Sequence, residues 1–239
     1  MFNKIYNHDI KNLAKLAANT LSEYVNSNNR RNILFLIATG SSFEILNYID
    51  NKILCPNITI AVLDERYSND RKVNNFAQLQ KTKFYQIALK AKCNFINSFP
   101  SFHETHGNLT KKINNNIKNW LSNNHQGKII ATIGIGIDGH IGGIMPHSKE
   151  SSLDSLMNTE NLILKVNTGG KNKYNLRITP NLSFFQNNID YAVVYLVGQN
   201  KKNVLDKLFK SNTSILAFPS KILLAMKNCT LFTDIYDLD

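Results

Sequence analysis

The chain has 239 residues, of which 43% are hydrophobic and 19% charged, and its formal net charge is +11. Its length and composition predict a single globular domain over residues 1–239, since no linker rich in Pro, Gly or Ser divides it. No apolar run reaches the roughly 18 residues of a membrane span, and residues 1–15 lack the apolar segment of a signal peptide, so we expect a cytoplasmic protein without a membrane partner.

The charge and the cysteines limit the partners further. The 28 Lys and Arg residues outnumber the 17 Asp and Glu residues, but they are spread along the chain without blocks of about five or more like charges. We therefore expect no nucleic-acid partner, and at most a positive field that attracts an anionic substrate. Cys55, Cys93 and Cys229 are odd in number and far apart, which favours reduced thiols over a disulfide framework or a metal site.

The first predicted element is a helix over residues 10–25. Apolar side chains recur there at helical spacing, and Asp9 is a suitable N-cap. Further helical patterns cover residues 76–89, 113–121 and 204–209, and another begins near Phe43.

Four short apolar runs rich in β-branched residues predict strands. They are Ile33–Ala38, Ile58–Leu63, Ile129–Ile135 and Ala192–Val197. Each is apolar nearly throughout, which suits strands covered on both faces of a parallel sheet. Since these strands alternate with helices, we expect a doubly wound α/β fold in which a mostly parallel sheet lies between two layers of helices.

Polar segments follow each of the four predicted strands. They are Thr39–Ser42, Asp64–Arg66, Asp138–His140 and Gly198–Lys201. Ligands of open α/β sheets bind at the carboxyl ends of the strands, so we expect these segments to meet in one site.

The most informative segment is the glycine-rich turn at residues 134–143, which contains Asp138 and His140. An imidazole suits proton transfer near neutral pH, and a neighbouring carboxylate can fix its tautomer. The turn therefore indicates an acid–base site. The alternative is a metal site formed by Asp138, His140 and His147, for which the spacing alone is weak evidence.

Other segments predict groups that bind an anion. Gly40, Ser41 and Ser42 lie at a predicted helix start, where free amides and two hydroxyls suit a phosphate. Lys201 opposes the dipole of the helix that it begins, a cost that a bound phosphate would offset. Arg177 supplies a further cation just before another predicted helix.

The charged cluster Asp64, Glu65 and Arg66 ends the second predicted strand. In a crevice, such a cluster would hold Arg66 in place to meet an oxyanion or a substrate carboxylate, and Asn75 could close this corner. A solvated strand end is the alternative.

Two stretches carry weaker signals. Residues 146–173 are the least regular part of the chain, and they form either a loop that closes over the site or a surface excursion with a short strand at 162–166. His103 and His106 stand in a polar, loop-like context, and we expect both at the surface.

Over about residues 32–234 the chain resembles the family that contains 6-phosphogluconolactonase and glucosamine-6-phosphate deaminase. The anchor is Gly-Ile-Gly-Ile-Asp-Gly-His at residues 134–140, followed by Met145 and Pro146. The other matching blocks are Thr39–Ser42, Asp64–Arg66 with Asn75, Arg177–Thr179, Gly198–Lys201 and Phe218–Ser220.

Two of these blocks bear on the branch of the family. Arg66 after Asp-Glu looks like the lactonases, since the deaminases usually place Tyr there. Residues 143–146 lack the Phe-Asn-Glu-Pro of the deaminases, and they also depart from the Ser-Leu-Phe-Pro of the lactonases.

The resemblance implies hydrolysis of 6-phospho-D-glucono-1,5-lactone to 6-phospho-D-gluconate, a step of the oxidative pentose phosphate pathway, without a metal or an organic cofactor. His140 would be the base that activates water, Asp138 would orient its imidazole, and Arg66 would stabilise the oxyanion. Substrate-binding residues would be Gly40, Ser41, Ser42, Asp64, Asn75, Arg177 and Lys201.

Alternatives stay open at this point. A glucosamine-6-phosphate deaminase would use Asp64 as the base and release ammonia. A non-catalytic regulator would keep the phosphate-binding groups and bind a phosphosugar without chemistry. The sequence also leaves open a monomer or a small homo-oligomer.

Overall fold

The computed structural model describes residues 2–146, 153–157, 160–170 and 172–236. The strands are β1 Phe2–Tyr6, β2 Ile33–Ile37, β3 Ile58–Val62, β4 Glu65–Arg66, β5 Asn94–Phe95, β6 Lys128–Gly134, β7 Ile163–Asn167, β8 Leu176–Pro180, β9 Tyr191–Leu196 and β10 Cys229–Thr233. Seven of them form a parallel sheet in the order β1-β10-β9-β6-β2-β3-β5. A smaller antiparallel sheet has the order β4-β8-β7.

Helices cover both faces of the parallel sheet. They are α1 Ile10–Ser27, α2 Phe43–Leu46, α3 Asn75–Leu79, α4 Lys83–Lys90, α5 His106–Asn123, α6 Leu153–Met157, α7 Leu182–Asn187 and α8 Lys202–Lys210. The inner strand β2 is buried throughout. Ile33 and Phe35 belong to the core that includes α1, whereas Leu34 and Leu36 belong to the core that includes α5. This alternation follows from the period of two in a strand, and it confirms the predicted fold class.

The helix starts follow local capping rules. The Asp9 carboxylate accepts from the amides of Lys11 and Asn12, so the predicted N-cap of α1 is confirmed. The single helix predicted over residues 76–89 is wrong, because it is two helices, α3 and α4. Thr82 separates them, since its hydroxyl accepts from the amide of Tyr85 and starts a new helix.

The predicted strands correspond to β2, β3, β6, β9 and, at residues 162–166, to β7. The sequence analysis did not predict the edge strand β1, the two-residue strands β4 and β5, or the strands β8 and β10. Part of the irregular stretch 146–173, residues 147–152, 158–159 and 171, lies outside the described residues. None of the described helices is long and apolar enough to cross a membrane.

The strand order shows where the chain, after adding strands on one side of β2, returns to add strands on its other side. The order runs outward from β2 to β3 and β5 on one side, and from β2 to β6, β9 and β10 on the other. A crevice forms at such a reversal, at the carboxyl ends of the two diverging strands. The loops after β2 and β6 therefore face each other across an opening.

Candidate active site

An open cleft of about 610 Å³ lies at this reversal. Its walls come from the segments that follow β2, β3 and β6, from β4 and β8, and from the start of α8. The lining residues are Ala38, Thr39, Gly40, Ser41, Leu63, Asp64, Arg66, Gly134, Ile135, Gly136, His140, Gly142, Arg177 and Lys201. Each of the four polar segments predicted to meet contributes at least one of these residues, and His140 is the one from Asp138–His140.

Asp138 and His140 form a hydrogen-bonded pair in the turn after β6. The Nδ1 atom of His140 lies 2.6 Å from Oδ1 of Asp138, which also accepts from the His140 amide at 3.1 Å. Burial alone would raise the pKa of Asp138, but hydrogen bonds and charge attraction from His140 outweigh it and hold that pKa below its usual value. A carboxylate can only accept, so Nδ1 carries the hydrogen and Nε2 is the basic nitrogen.

Two glycines allow this turn to close. A Cβ at Gly136 would lie 2.0 Å from Nδ1 of His140, and Gly139 has a φ of +87° and packs on the ring of Phe218. Ser220 then secures the turn from a distant part of the sequence, because its hydroxyl donates to the carbonyl of Gly139 at 2.7 Å. The glycines are therefore required for the position of the imidazole.

Asp64 and Arg177 form a buried ion pair between Oδ2 and Nη2. Only 7% of the Asp64 side chain and 6% of the Arg177 side chain are exposed. Arg177 Nη2 also lies 3.5 Å from the carbonyl of Gly142, which joins β8 to the glycine-rich turn. The pair thus ties three segments of the cleft wall together.

Arg66 lies opposite Arg177 in the β4–β8 pair. Its guanidinium carbon is 4.7 Å from the centroid of the Tyr174 ring, and its buried Nε has no hydrogen-bond partner among the described residues. Burial and the neighbouring charge of Arg177 lower the pKa of Arg66. The guanidinium makes no hydrogen bond with a described residue, and Arg66 lines the cleft, so its terminal N–H groups can serve a ligand there.

Glu65 does not face the cleft but supports it from behind. Its two oxygens accept from the amides of Arg66, Asn75 and Phe76, and from the hydroxyl of Ser98 at 2.6 Å. Burial raises the pKa of the Glu65 carboxyl to about 7, against the hydrogen bonds from Ser98, Asn75 and Phe76. Glu65 thereby joins β4 to the first turn of α3.

Two of the predicted binding residues have no exposed surface. The Asn75 side chain donates to the carbonyl of Asp64 at 2.8 Å, and Ser42 is fully buried beside Gly134. Both can support the cleft wall, whereas direct contact with a ligand would require them to move. That they bind substrate stays a prediction.

The predicted anion groups Gly40, Ser41 and Lys201 do line the cleft. Gly40 and Ser41 begin a short 3-10 helix after β2, and Lys201 ends another before α8. Burial lowers the pKa of Lys201, while the charge of Asp234 raises it.

His106 was expected at the surface, but the structure half-buries it. Its Nε2 donates to the carbonyl of Arg177 at 2.9 Å, and its ring stacks on Tyr67. Burial lowers the pKa of His106. The sequence carried no signal for this contact or for that of Tyr174 on Arg66, since both depend on how β8 pairs with β4.

The metal alternative includes His147, which lies outside the described residues. Among the residues with described positions, no group of three or more His, Cys, Asp or Glu side chains could hold a metal ion.

The fold and the cleft define a parallel α/β protein with a polar site at the reversal point of its sheet. The chain matches the family of glucosamine-6-phosphate isomerases and 6-phosphogluconolactonases over residues 9–232. It therefore belongs to that family, as the resemblance in the sequence predicted.

Individual relatives agree with this membership. Over 224 residues the chain is 25% identical to a probable 6-phosphogluconolactonase of Dictyostelium discoideum, covering 91% of this chain and 90% of the relative. The solved 6-phosphogluconolactonase of Trypanosoma brucei superposes with a TM-score of 0.76 at 14% identity, covering 98% of this chain and 96% of that one. A putative 6-phosphogluconolactonase of Neisseria gonorrhoeae gives 0.75 at 18% identity, covering 98% and 99%. At these identities the solved structures share the fold.

Proposed function

We propose that the protein hydrolyses 6-phospho-D-glucono-1,5-lactone to 6-phospho-D-gluconate, a step of the oxidative pentose phosphate pathway. The observation that carries this proposal is the pairing of His140 with Asp138 at 2.6 Å, beside a cleft that Arg66, Arg177 and Lys201 line. The pair supplies a base, and the cations supply sites for a phosphate and for a developing negative charge. The family and the name of the Dictyostelium discoideum relative agree with this reaction.

His140 is the general base of the proposed reaction. Its Nε2 removes a proton from a water molecule, whose oxygen attacks the lactone carbonyl carbon. The tetrahedral intermediate then collapses as the bond from this carbon to the ring oxygen breaks, and the imidazolium returns its proton to that oxygen. Asp138 remains ionised near neutral pH, because its pKa lies below the usual value, and it stabilises the imidazolium.

The cations divide between the two ends of the substrate. Arg66 is the group that stabilises the oxyanion, since its N–H groups have no partner among the described residues. Gly40, Ser41 and Lys201 bind the phosphate, together with Arg177. Binding energy from this remote phosphate orients the reacting carbonyl.

The deaminase alternative is less well supported by the geometry. It requires Asp64 to remove a proton from the substrate, but Asp64 is buried and paired with Arg177. The pair suits a structural or binding role better.

The first experiment measures hydrolysis of freshly prepared 6-phosphogluconolactone above its spontaneous rate. We expect His140→Ala to lower kcat by about 10²–10⁴-fold, the usual contribution of one acid–base group. His125→Ala is the matched control, because His125 is exposed and lies at the other end of the sheet, beside Asn32 and Asn124. A wild-type rate at background would overturn the proposal, and release of ammonia from glucosamine 6-phosphate would then support the deaminase.

A further inference from the structure

Arg66 lines the cleft, and the close neighbour of its guanidinium is an aromatic ring and not a carboxylate. It is half-buried, and Arg177 lies directly opposite it across β4 and β8. These two like charges repel, because they lie directly opposite one another. The carboxylate of Asp64 pairs with Arg177 and not with Arg66. Among the residues that the structure describes, the guanidinium of Arg66 makes no hydrogen bond and no ion pair, and its one close contact of a specific kind is the ring of Tyr174.

Tyr174 comes from the connection between β7 and β8, outside the walls of the cleft. Its ring centroid is 4.7 Å from the guanidinium carbon of Arg66, within the range of a cation–π interaction. The connection is braced locally, since the Tyr174 amide donates to Asn172 Oδ1 at 3.0 Å and Asn175 Oδ1 accepts from Gly170 and Thr168. The half-buried ring therefore has a defined position when Arg66 meets it.

A ring that contacts a guanidinium carbon leaves the N–H groups at the guanidinium edge able to donate elsewhere. A carboxylate partner would instead have taken one or more of those donors, as Asp64 takes Nη2 of Arg177. We infer that Tyr174 is a positioning residue, which holds the side chain of Arg66 toward the cleft with its donors free for the substrate. This role rests on the proposed function, because Arg66 is the group that meets the oxyanion.

The test compares Tyr174→Leu with Tyr174→Phe. The leucine keeps an apolar side chain but removes the π face, and we expect it to lower kcat/KM by about 2- to 30-fold. The phenylalanine keeps the ring, so kcat/KM should stay within about twofold of wild type. A loss in Tyr174→Phe equal to that in Tyr174→Leu would show that the hydroxyl matters and would overturn the inference.

Two further measurements separate positioning from a general loss of structure. The change in Tyr174→Leu should fall on the same parameter, kcat or KM, as in Arg66→Ala, and Tyr174→Leu should add less than about a twofold loss to Arg66→Ala. A full additional loss in the double variant would overturn the inference. Tyr48→Leu is the control. The Tyr48 ring also lies near a cation, Lys15 at 5.8 Å, but this cation does not line the cleft, whereas Arg66 does.

Failure of the proposed function is distinguishable from failure of the inference. If the wild type does not hydrolyse the lactone, calorimetry with 6-phosphogluconate provides the readout. Equal weakening of binding in Tyr174→Leu and Arg66→Ala, with normal binding in Tyr174→Phe, would still support the positioning role. Unchanged binding in Tyr174→Leu, or no binding by the wild type, would overturn it.

Discussion

Arg66 and Arg177 lie directly opposite each other in the β4–β8 pair, and the carboxylate of Asp64 neutralises Arg177 inside the protein. Of these two guanidiniums, that of Arg177 is paired with a carboxylate, whereas that of Arg66 has no hydrogen bond or ion pair with a described residue. The stability of this arrangement depends on Asp64, since its removal leaves two adjacent guanidiniums without compensation.

We therefore predict that Asp64→Asn lowers the free energy of unfolding by about 3–5 kcal/mol. This is the usual cost of removing one charge of a buried ion pair, which leaves the other charge uncompensated. Urea unfolding measures this change. Asp206→Asn is the control, because its pair with Lys210 is exposed and should cost less than about 1 kcal/mol. Equal small losses in both variants would contradict a structural role for the buried pair.

A second prediction concerns the tautomer of His140. In Asp138→Asn, the side-chain amide can donate to Nδ1, which moves the ring hydrogen to Nε2 and removes the base. We expect kcat to fall by about 10²–10⁴-fold with little change in KM. Steady-state kinetics of lactone hydrolysis test this. A kcat within about threefold of the wild-type value would contradict the role of Asp138.

Lys201 and Lys202 provide a matched pair for the phosphate. Lys201 lines the cleft, whereas Lys202 is exposed at the start of α8. Lys201→Ala should raise KM for the lactone by about tenfold or more, because a charge-assisted contact is lost. Lys202→Ala should leave KM near the wild-type value. The opposite pattern would assign the phosphate to Lys202.

Glu65 predicts a dependence of stability on pH. Its pKa is raised to about 7 in the folded protein from an ordinary value of 4.5. A raised pKa means that the folded state binds the proton more tightly, so this contribution is fully present below about pH 4.5 and is lost as the pH rises through about 7. The free energy of unfolding should therefore fall between about pH 4.5 and 7.5, by up to about 3 kcal/mol relative to Glu65→Gln, which cannot titrate.

Unfolding curves over this pH range measure the effect. Glu23→Gln is the control, since Glu23 is exposed on α1 and should follow the wild type. If the wild type and Glu65→Gln change in parallel with pH, then the hydrogen bonds from Ser98 and the amides keep Glu65 ionised throughout.

Gly139 and Gly169 separate two costs of replacing a glycine. Both have positive φ, +87° and +60°. A Cβ at Gly139 would lie 2.2 Å from the Phe218 ring, whereas a Cβ at Gly169 would have no atom beyond its chain neighbours within 4 Å. Gly169→Ala should cost about 1 kcal/mol of stability and leave activity unchanged. Gly139→Ala should cost more and should lower kcat, because the His140 turn must shift. Equal effects in the two variants would exclude the contact with Phe218 as the cause.

The sequence predicted the parts of the fold that local patterns encode. Strands such as β2 and β6 are buried on both faces and read as continuous apolar runs. The strand β4 has two residues, and its partner β8 buries the polar residues Arg177 and Thr179 beside apolar ones, so neither carries a period that could be recognised. The small antiparallel sheet was missed for that reason.

The candidate site divides in the same way. Segments that follow recognisable strands, such as Gly40, Asp64 and His140, were predicted to meet, and they do line one cleft. The burial of Asn75 and the contact of Tyr174 with Arg66 depend on packing between distant segments. Single-sequence patterns do not contain that information.

The hydrogen bond from Ser220 to Gly139 spans 81 residues of the chain. At cellular rates of synthesis, the ribosome needs on the order of ten seconds to add that length after Gly139 has been made. A nascent chain therefore carries Asp138 and His140 for several seconds before the segment that braces their turn exists. The proposed activity therefore requires the segment that contains Ser220, so turnover of the lactone would report that Pro219–Ala225 has packed against the turn.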